Sequence, residues 1–149
     1  MARVLDVLPS DDPVRPAYVE MFKQFSAYVA STQPADGLWR PNMADPLHVP
    51  VPESSGTGFF CFGLAWGINH GVLDRPTYEP VARKAWTGLV ANVSEEGKVL
   101  YGQNVGASPA SVKRDDSHEY VTGAFLLAAS EMYALSGGRP VNAKGGQSR

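Results

Sequence analysis

The stretch DGLWRPNMADPLHVPVPESSGTGFFCFGLAW, residues Asp36 to Trp66, decides the fold. Its first part is a polar, proline-rich loop carrying Trp39, Arg40, His48 and Glu53. Its second part opens on Ser54-Ser55-Gly56-Thr57 and continues as a helix from Ser55 to His70, with Phe59, Phe60, Phe62, Ala65, Trp66 and Ile68 leaving little polar surface. A helix that is apolar nearly all round must be buried by other helices, so the neighbouring segments have to supply amphipathic partners.

They do. From Val14 to Val29 the residues Val14, Tyr18, Met21, Phe22, Phe25, Tyr28 and Val29 recur three or four apart, the one-face pattern of a helix, with Asp12-Pro13 as cap and first turn. A third helix is expected over Thr77 to Val93, with Pro80 tolerated in its first turn. A last one is expected from Ser117 to Leu135, with Asp116 and Glu119 as a capping box and Gly137-Gly138 as its stop. Ala2 to Leu8 reads as the end of a further helix, and Gly71 as a left-handed stop that turns the second helix back into the third. The fold class expected is all-α, with residues 1–137 forming one domain and 138–149 a disordered tail.

Connections alternate in length: short at Pro9 to Pro13, long at Pro34 to Glu53, short at Val72 to Pro76, long at Ser94 to Asp115. If successive helices are antiparallel, both long loops lie at one face, beside the N-termini of the Ser55 and Ser117 helices. Loops of about 20 residues in a compact domain usually carry function, and helix N-termini favour anionic ligands.

Composition narrows the partner. The 149 residues are 44% hydrophobic and 19% charged, with a formal net charge of −2. No basic stripe suggests nucleic acid, and no apolar run reaches the roughly 18 residues of a membrane span. No leader pattern is visible at the N-terminus, so a cytoplasmic address is expected. The single cysteine, Cys61, cannot form an internal disulfide and reads as a buried thiol. No metal or cofactor is expected, because the sequence offers no ligand spacing. Asp115-Asp116 followed by His118 and Glu119 is explained by capping, and His48 as a solvated loop residue.

A small molecule or carbohydrate fits best. Trp39 can stack on a sugar face while Arg40 grips a carboxylate; alternatively Trp39 packs the loop onto the helix ends and Arg40 pairs with Asp36 or Asp45. Glu53, Ser54 and Ser55 likewise have two compatible readings. Ser54 or Ser55 caps the helix, and the hydroxyls and amides line a pocket in which Glu53 orients a hydroxyl or a water. His70 lies at the opposite face and complements the helix dipole.

Taken in order, Asp36-Gly37-Leu38-Trp39, Glu53 to Thr57 with the apolar run to Ile68, Tyr78 to Trp86, and Tyr120 to Glu131 resemble the unsaturated rhamnogalacturonyl hydrolases of glycoside hydrolase family 105. The resemblance covers residues 1 to 137. It implies a partial six-hairpin (α/α) barrel and an oligosaccharide substrate ending in a 4,5-unsaturated uronic acid. In that family an aspartate protonates C4 of the ring double bond and water adds at C5. This aspartate lies upstream of the region matched here, so the resemblance assigns no catalytic residue to this chain and implies that it is inactive alone. Its contribution would be the cleft residues Trp39, Arg40, Glu53, Ser54 and Ser55. A non-catalytic carbohydrate-binding or structural remnant, or one subunit of a split barrel, are the alternatives. An incomplete ring also implies exposed apolar patches, hence self-association or pairing with a missing N-terminal half.

Overall fold

Five α-helices follow one another along the chain, α1 (Ala2–Val7), α2 (Arg15–Ser31), α3 (Ser54–Asn69), α4 (Arg75–Ala91) and α5 (Glu119–Leu135). This computed structural model describes residues 1–106 and 112–138. The expected tail therefore lies, apart from Gly138, outside the described residues. The all-α class is as expected, and the described residues contain no strand beyond an isolated antiparallel bridge between Val93 and Val99.

The apolar run forms the centre, as its composition requires. On α3, Cys61, Leu64, Ala65 and Trp66 are all buried, and they meet Ala82, Ala85 and Leu89 of α4 and Ala128, Met132 and Leu135 of α5. Burial pushes the Cys61 thiol up to about 12, so it stays protonated and packs as a small apolar group. The turn after α3 closes with Val72 and Leu73 N–H donating to the Gly67 carbonyl, and Gly71 adopts φ +67° as a left-handed stop. His70 sits on the same helix end, Nδ1 at 2.8 Å from the Trp66 carbonyl. Asp74 then starts α4, its Oδ2 accepting from Thr77 N–H.

Three terminal details differ from the sequence reading. Asp12 does not cap α2: Val14 is the N-cap, Pro16 sits in the first turn, and Asp12 Oδ1 accepts from Val14 N–H one step earlier. Helix α4 begins with Arg75-Pro76, so Pro80 is interior; its missing N–H frees the Pro76 carbonyl, at an exposed position where water can satisfy it. The Asp116–Glu119 capping box is absent. Helix α5 starts only at Glu119 behind His118, and Asp116 Oδ2 instead accepts from Lys113 N–H, closing the turn before the helix.

Helices α3 and α5 run parallel and pack directly on each other, while α4 returns antiparallel alongside α3. Near their starts Gly58 faces Ala124, and near the end of α3 Asn69 Nδ2 donates to the Glu131 carbonyl. Both long loops consequently meet at one face, as the alternation of connection lengths demanded. No described helix is long and apolar enough to cross a membrane.

Candidate functional site at the long-loop face

The two loops are stitched to the start of α3 through backbone bonds. Glu53 N–H donates to the Trp39 carbonyl and Ser54 N–H to the Tyr101 carbonyl, while Tyr101 N–H reaches Arg114 and Gly102 N–H reaches Asp116. Trp39 N–H donates to Thr57 Oγ1, whose own hydroxyl donates to the Glu53 carbonyl. Tyr101 takes φ +55°, a left-handed conformation uncommon outside glycine, and it is held there by bonds on both sides. This fixed seam aligns the second loop along the N-termini of α3 and α5.

Trp39 is 1% exposed. Its Nε1–H donates to the Val29 carbonyl at 3.1 Å, and its ring meets Phe60 edge-on at 5.3 Å. A ring enclosed in this way has no face left for a sugar, so the stacking role is corrected to that of a core residue pinning the loop to α2 and α3. Arg40 lies beside it, its side chain only 18% exposed. Its Nη2 is 2.8 Å from Asp36 Oδ2 and its Nη1 donates to the Leu38 carbonyl. Burial acts to raise the Asp36 carboxyl, but the hydrogen bond from Arg40, the Leu38 N–H and the guanidinium charge together hold it below its ordinary value.

Glu53 is the cap of α3, the role assigned from sequence to Ser54 or Ser55. It is 8% exposed, and its carboxylate accepts from Ser55 N–H, Gly56 N–H and Ser55 Oγ–H. A serine hydroxyl offers one oxygen to the free N–H groups of a first turn; the carboxylate offers two and complements the dipole. The consequence for binding is direct: the positive end of α3 is already occupied by Glu53. Helix α5, by contrast, begins without a side-chain cap and carries Glu119 in its first turn. Glu53→Ala removes the acceptor for three donors at once. It is expected to lower stability by about 1–2 kcal/mol, read as a reduced urea midpoint at unchanged slope.

Ser54 is 1% exposed, and its hydroxyl has no hydrogen-bond partner among the described residues; neither has the side-chain amide of Gln103. Around the start of α5, His118 Nε2 lies 2.8 Å from Asn104 Oδ1 and stacks on Tyr120, whose hydroxyl donates to the Gln103 carbonyl. Partial burial, then the negative charges of Glu53 and Glu119, push the Tyr120 hydroxyl up, so it remains a donor at neutral pH. The face thus offers a partly buried guanidinium paired with Asp36, a helix start without a side-chain cap, and a row of amide, imidazole and phenol groups. Sequence reading weighed this second loop mainly as a capping segment, because the bonds joining Gln103 and Asn104 to Tyr120 and His118 cross distances that local pattern does not reveal. No group of three or more His, Cys, Asp or Glu able to hold a metal occurs among the described residues.

Comparison with known proteins gives a consistent set of likenesses. Residues 1–136 match the family model described as Glycosyl Hydrolase Family 88. Over 135 residues the chain is 43% identical to an unsaturated 3S-rhamnoglycuronyl hydrolase of Formosa agariphila, covering 91% of this chain and 36% of that protein. A protein of the same description from Alteromonas sp. (strain LOR) is 43% identical over 129 residues, 87% of this chain and 31% of that one. Among solved structures, a glycosyl hydrolase family 88 protein from Bacteroides vulgatus superposes with a TM-score of 0.86 at 36% identity, over 89% of this chain and 39% of the other. A possible GH105 member from Salmonella enterica superposes with a TM-score of 0.76 at 27% identity, over 91% and 36%. The chain spans about a third of the length of the curated relatives it matches.

Proposed function

The chain belongs to glycosyl hydrolase family 88, and from that premise we propose that it forms one wall of a cleft for oligosaccharides ending in a 4,5-unsaturated uronic acid joined to rhamnose, such as rhamnogalacturonan fragments. The observation that carries this is the likeness to two unsaturated 3S-rhamnoglycuronyl hydrolases along nearly the whole helical body. The reaction would be hydration of the ring double bond: a proton to C4, water to C5, and opening of the hemiketal with release of the second sugar. Its proton donor is assigned to a part of the barrel outside these 149 residues, since nothing in the resemblance places that aspartate here.

Within this reading the five expected cleft residues divide by accessibility. Arg40 presents its charge at the rim and is the group to meet a uronate carboxylate, exchanging Asp36 for the ligand. Ser54, as enclosed as Trp39, offers its unpaired hydroxyl to an ordered water beneath the cleft rather than to the sugar itself. Glu53 and Ser55 hold the first turn of α3 from beneath, and Trp39 forms the floor. The uncapped start of α5 completes the anionic subsite.

The test follows the absorbance of the unsaturated uronate. The isolated chain is expected to leave it unchanged; turnover by the isolated chain would place the proton donor within it and overturn the division of labour proposed. Calorimetric titration with an unsaturated disaccharide, repeated on Arg40→Ala, checks the binding wall: affinity that does not fall on removing the guanidinium removes Arg40 from the cleft.

A further inference from the structure

Asp36 and Arg40 face each other across a short turn whose backbone is clamped against the rest of the fold. Gly37, at φ +81°, lies so close to α4 that a Cβ there would stand 2.4 Å from the Lys84 carbonyl oxygen. A Cβ on Gly88 would likewise meet the Asp36 carbonyl oxygen at 2.8 Å, and Leu38 and Trp39 are buried. With the chain fixed in this way, rearrangement of the pair falls to the two charged side chains.

The pair is asymmetric. Asp36 Oδ1 accepts from Leu38 N–H at 3.1 Å and Oδ2 from Arg40 Nη2 at 2.8 Å, while Arg40 Nη1 donates to the Leu38 carbonyl. One carboxylate oxygen therefore belongs to the turn and the other to the guanidinium. Exposure differs as well: the Asp36 side chain is 44% exposed and that of Arg40 18%. The open side of the pair is the aspartate, and a ligand reaches the guanidinium by way of it. Because a guanidinium bonds an ionised carboxylate more strongly than a neutral acceptor, the contact made by Asp36 Oδ2 is the one that the carboxylate of a uronic acid would make.

We infer that Asp36 is a resident competitor for Arg40 and sets the charge selectivity of the cleft wall. A ligand carboxylate can take the place of Oδ2 and restore the bond that Arg40 loses. A sugar hydroxyl cannot, so neutral sugars leave the pair closed. The displaced carboxylate stays beside the ligand, since Leu38 N–H still holds its other oxygen, and its like charge lowers the affinity for the acidic sugar it admits. Held below its ordinary value, the Asp36 carboxyl is ionised at neutral pH and competes with full charge. Asp36 acts in this role through Arg40, and the inference rests on the cleft-wall reading above.

Asp36→Asn isolates the competition. The amide oxygen still accepts from Leu38 N–H, so the turn and the urea midpoint are kept, while the negative charge facing Arg40 is gone. Asp36→Ser, whose hydroxyl also accepts within such a turn, is the second neutral variant. The 149-residue chain and both variants are titrated calorimetrically with an unsaturated rhamnogalacturonan disaccharide and with its uronate methyl ester. The acid is expected to bind each variant about fivefold more tightly than wild type, the ester to bind all three alike, and Arg40→Gln to abolish the difference when combined with Asp36→Asn. Equal or weaker binding of the acid by the variants, or the same increase for acid and ester, would overturn the inference; if Arg40→Gln alone still weakens the acid, the cleft-wall reading stands without it. Binding of the acid by none of these proteins sinks that reading and the inference together.

Discussion

Trp39→Ala is expected to cost about 3–5 kcal/mol of folding stability, a large part of the roughly 5–15 kcal/mol that holds a domain of this kind together. The indole is enclosed between α2 and α3, donates to the Val29 carbonyl, and contacts Phe60 edge-on. Its removal empties a volume that three elements share and leaves the Asp36 to Glu53 loop without its deepest attachment. A tryptophan that stacked on sugar from an open loop would behave in the opposite way, with affinity lost and stability kept. Urea unfolding of Trp39→Ala beside wild type separates these outcomes. A loss under about 1 kcal/mol would return the ring to the cleft as a ligand contact. Trp39→Phe should fall between the two, since it keeps most of the apolar volume and loses the Nε1–H donor.

The same residue shows where sequence reading succeeds and where it stops. Helices α2, α4 and α5 were legible because their apolar residues recur at helical spacing, which burial on one face enforces whatever the partners are, and α3 because a run apolar nearly all round has to be central. Alternation of loop lengths was enough to bring both long loops to one face, since antiparallel neighbours leave no other arrangement. Roles at that face were not legible from local pattern. Whether Trp39 points outward or inward depends on the gap between α2 and α3, which no spacing within the loop encodes. Glu53 displaced Ser54 and Ser55 as the cap because a carboxylate one residue earlier reaches two N–H groups at once. The helix starts at Asp12 and Asp116 failed for a related reason. Each aspartate closes a turn just ahead of its helix, and a side chain committed to Val14 N–H or Lys113 N–H cannot also serve the first turn.

Gly58→Val is the second large effect, and it bears on how the cleft wall is built. A Cβ at this position would stand 3.0 Å from the Ala124 carbonyl carbon and 3.0 Å from its Cβ. The obstacle is thus partly backbone of α5, which cannot rotate aside as a side chain would. Valine adds two further methyl groups to that approach, so α3 and α5 must separate near their N-termini, at an expected cost of about 2–3 kcal/mol. Gly63→Ala is the matched control. It lies on the same helix, meets nothing within 4 Å, and should stabilise by about 0.5–1 kcal/mol through helix propensity alone. Opposite signs for these two glycines would locate the constraint in the α3–α5 approach rather than in α3 itself. The separation has a further consequence, because this approach sets how near the Glu53-capped start of α3 lies to the uncapped start of α5. The seam through Ser54, Tyr101 and Asp116 crosses that interval. Hydrogen exchange of the Ser54 and Gly102 amides, bonded to Tyr101 and Asp116, should therefore accelerate in Gly58→Val while amides near the α3–α4 turn stay protected. Unchanged exchange at both amides would mean that the two long loops hold the cleft wall together without the close pairing of α3 and α5.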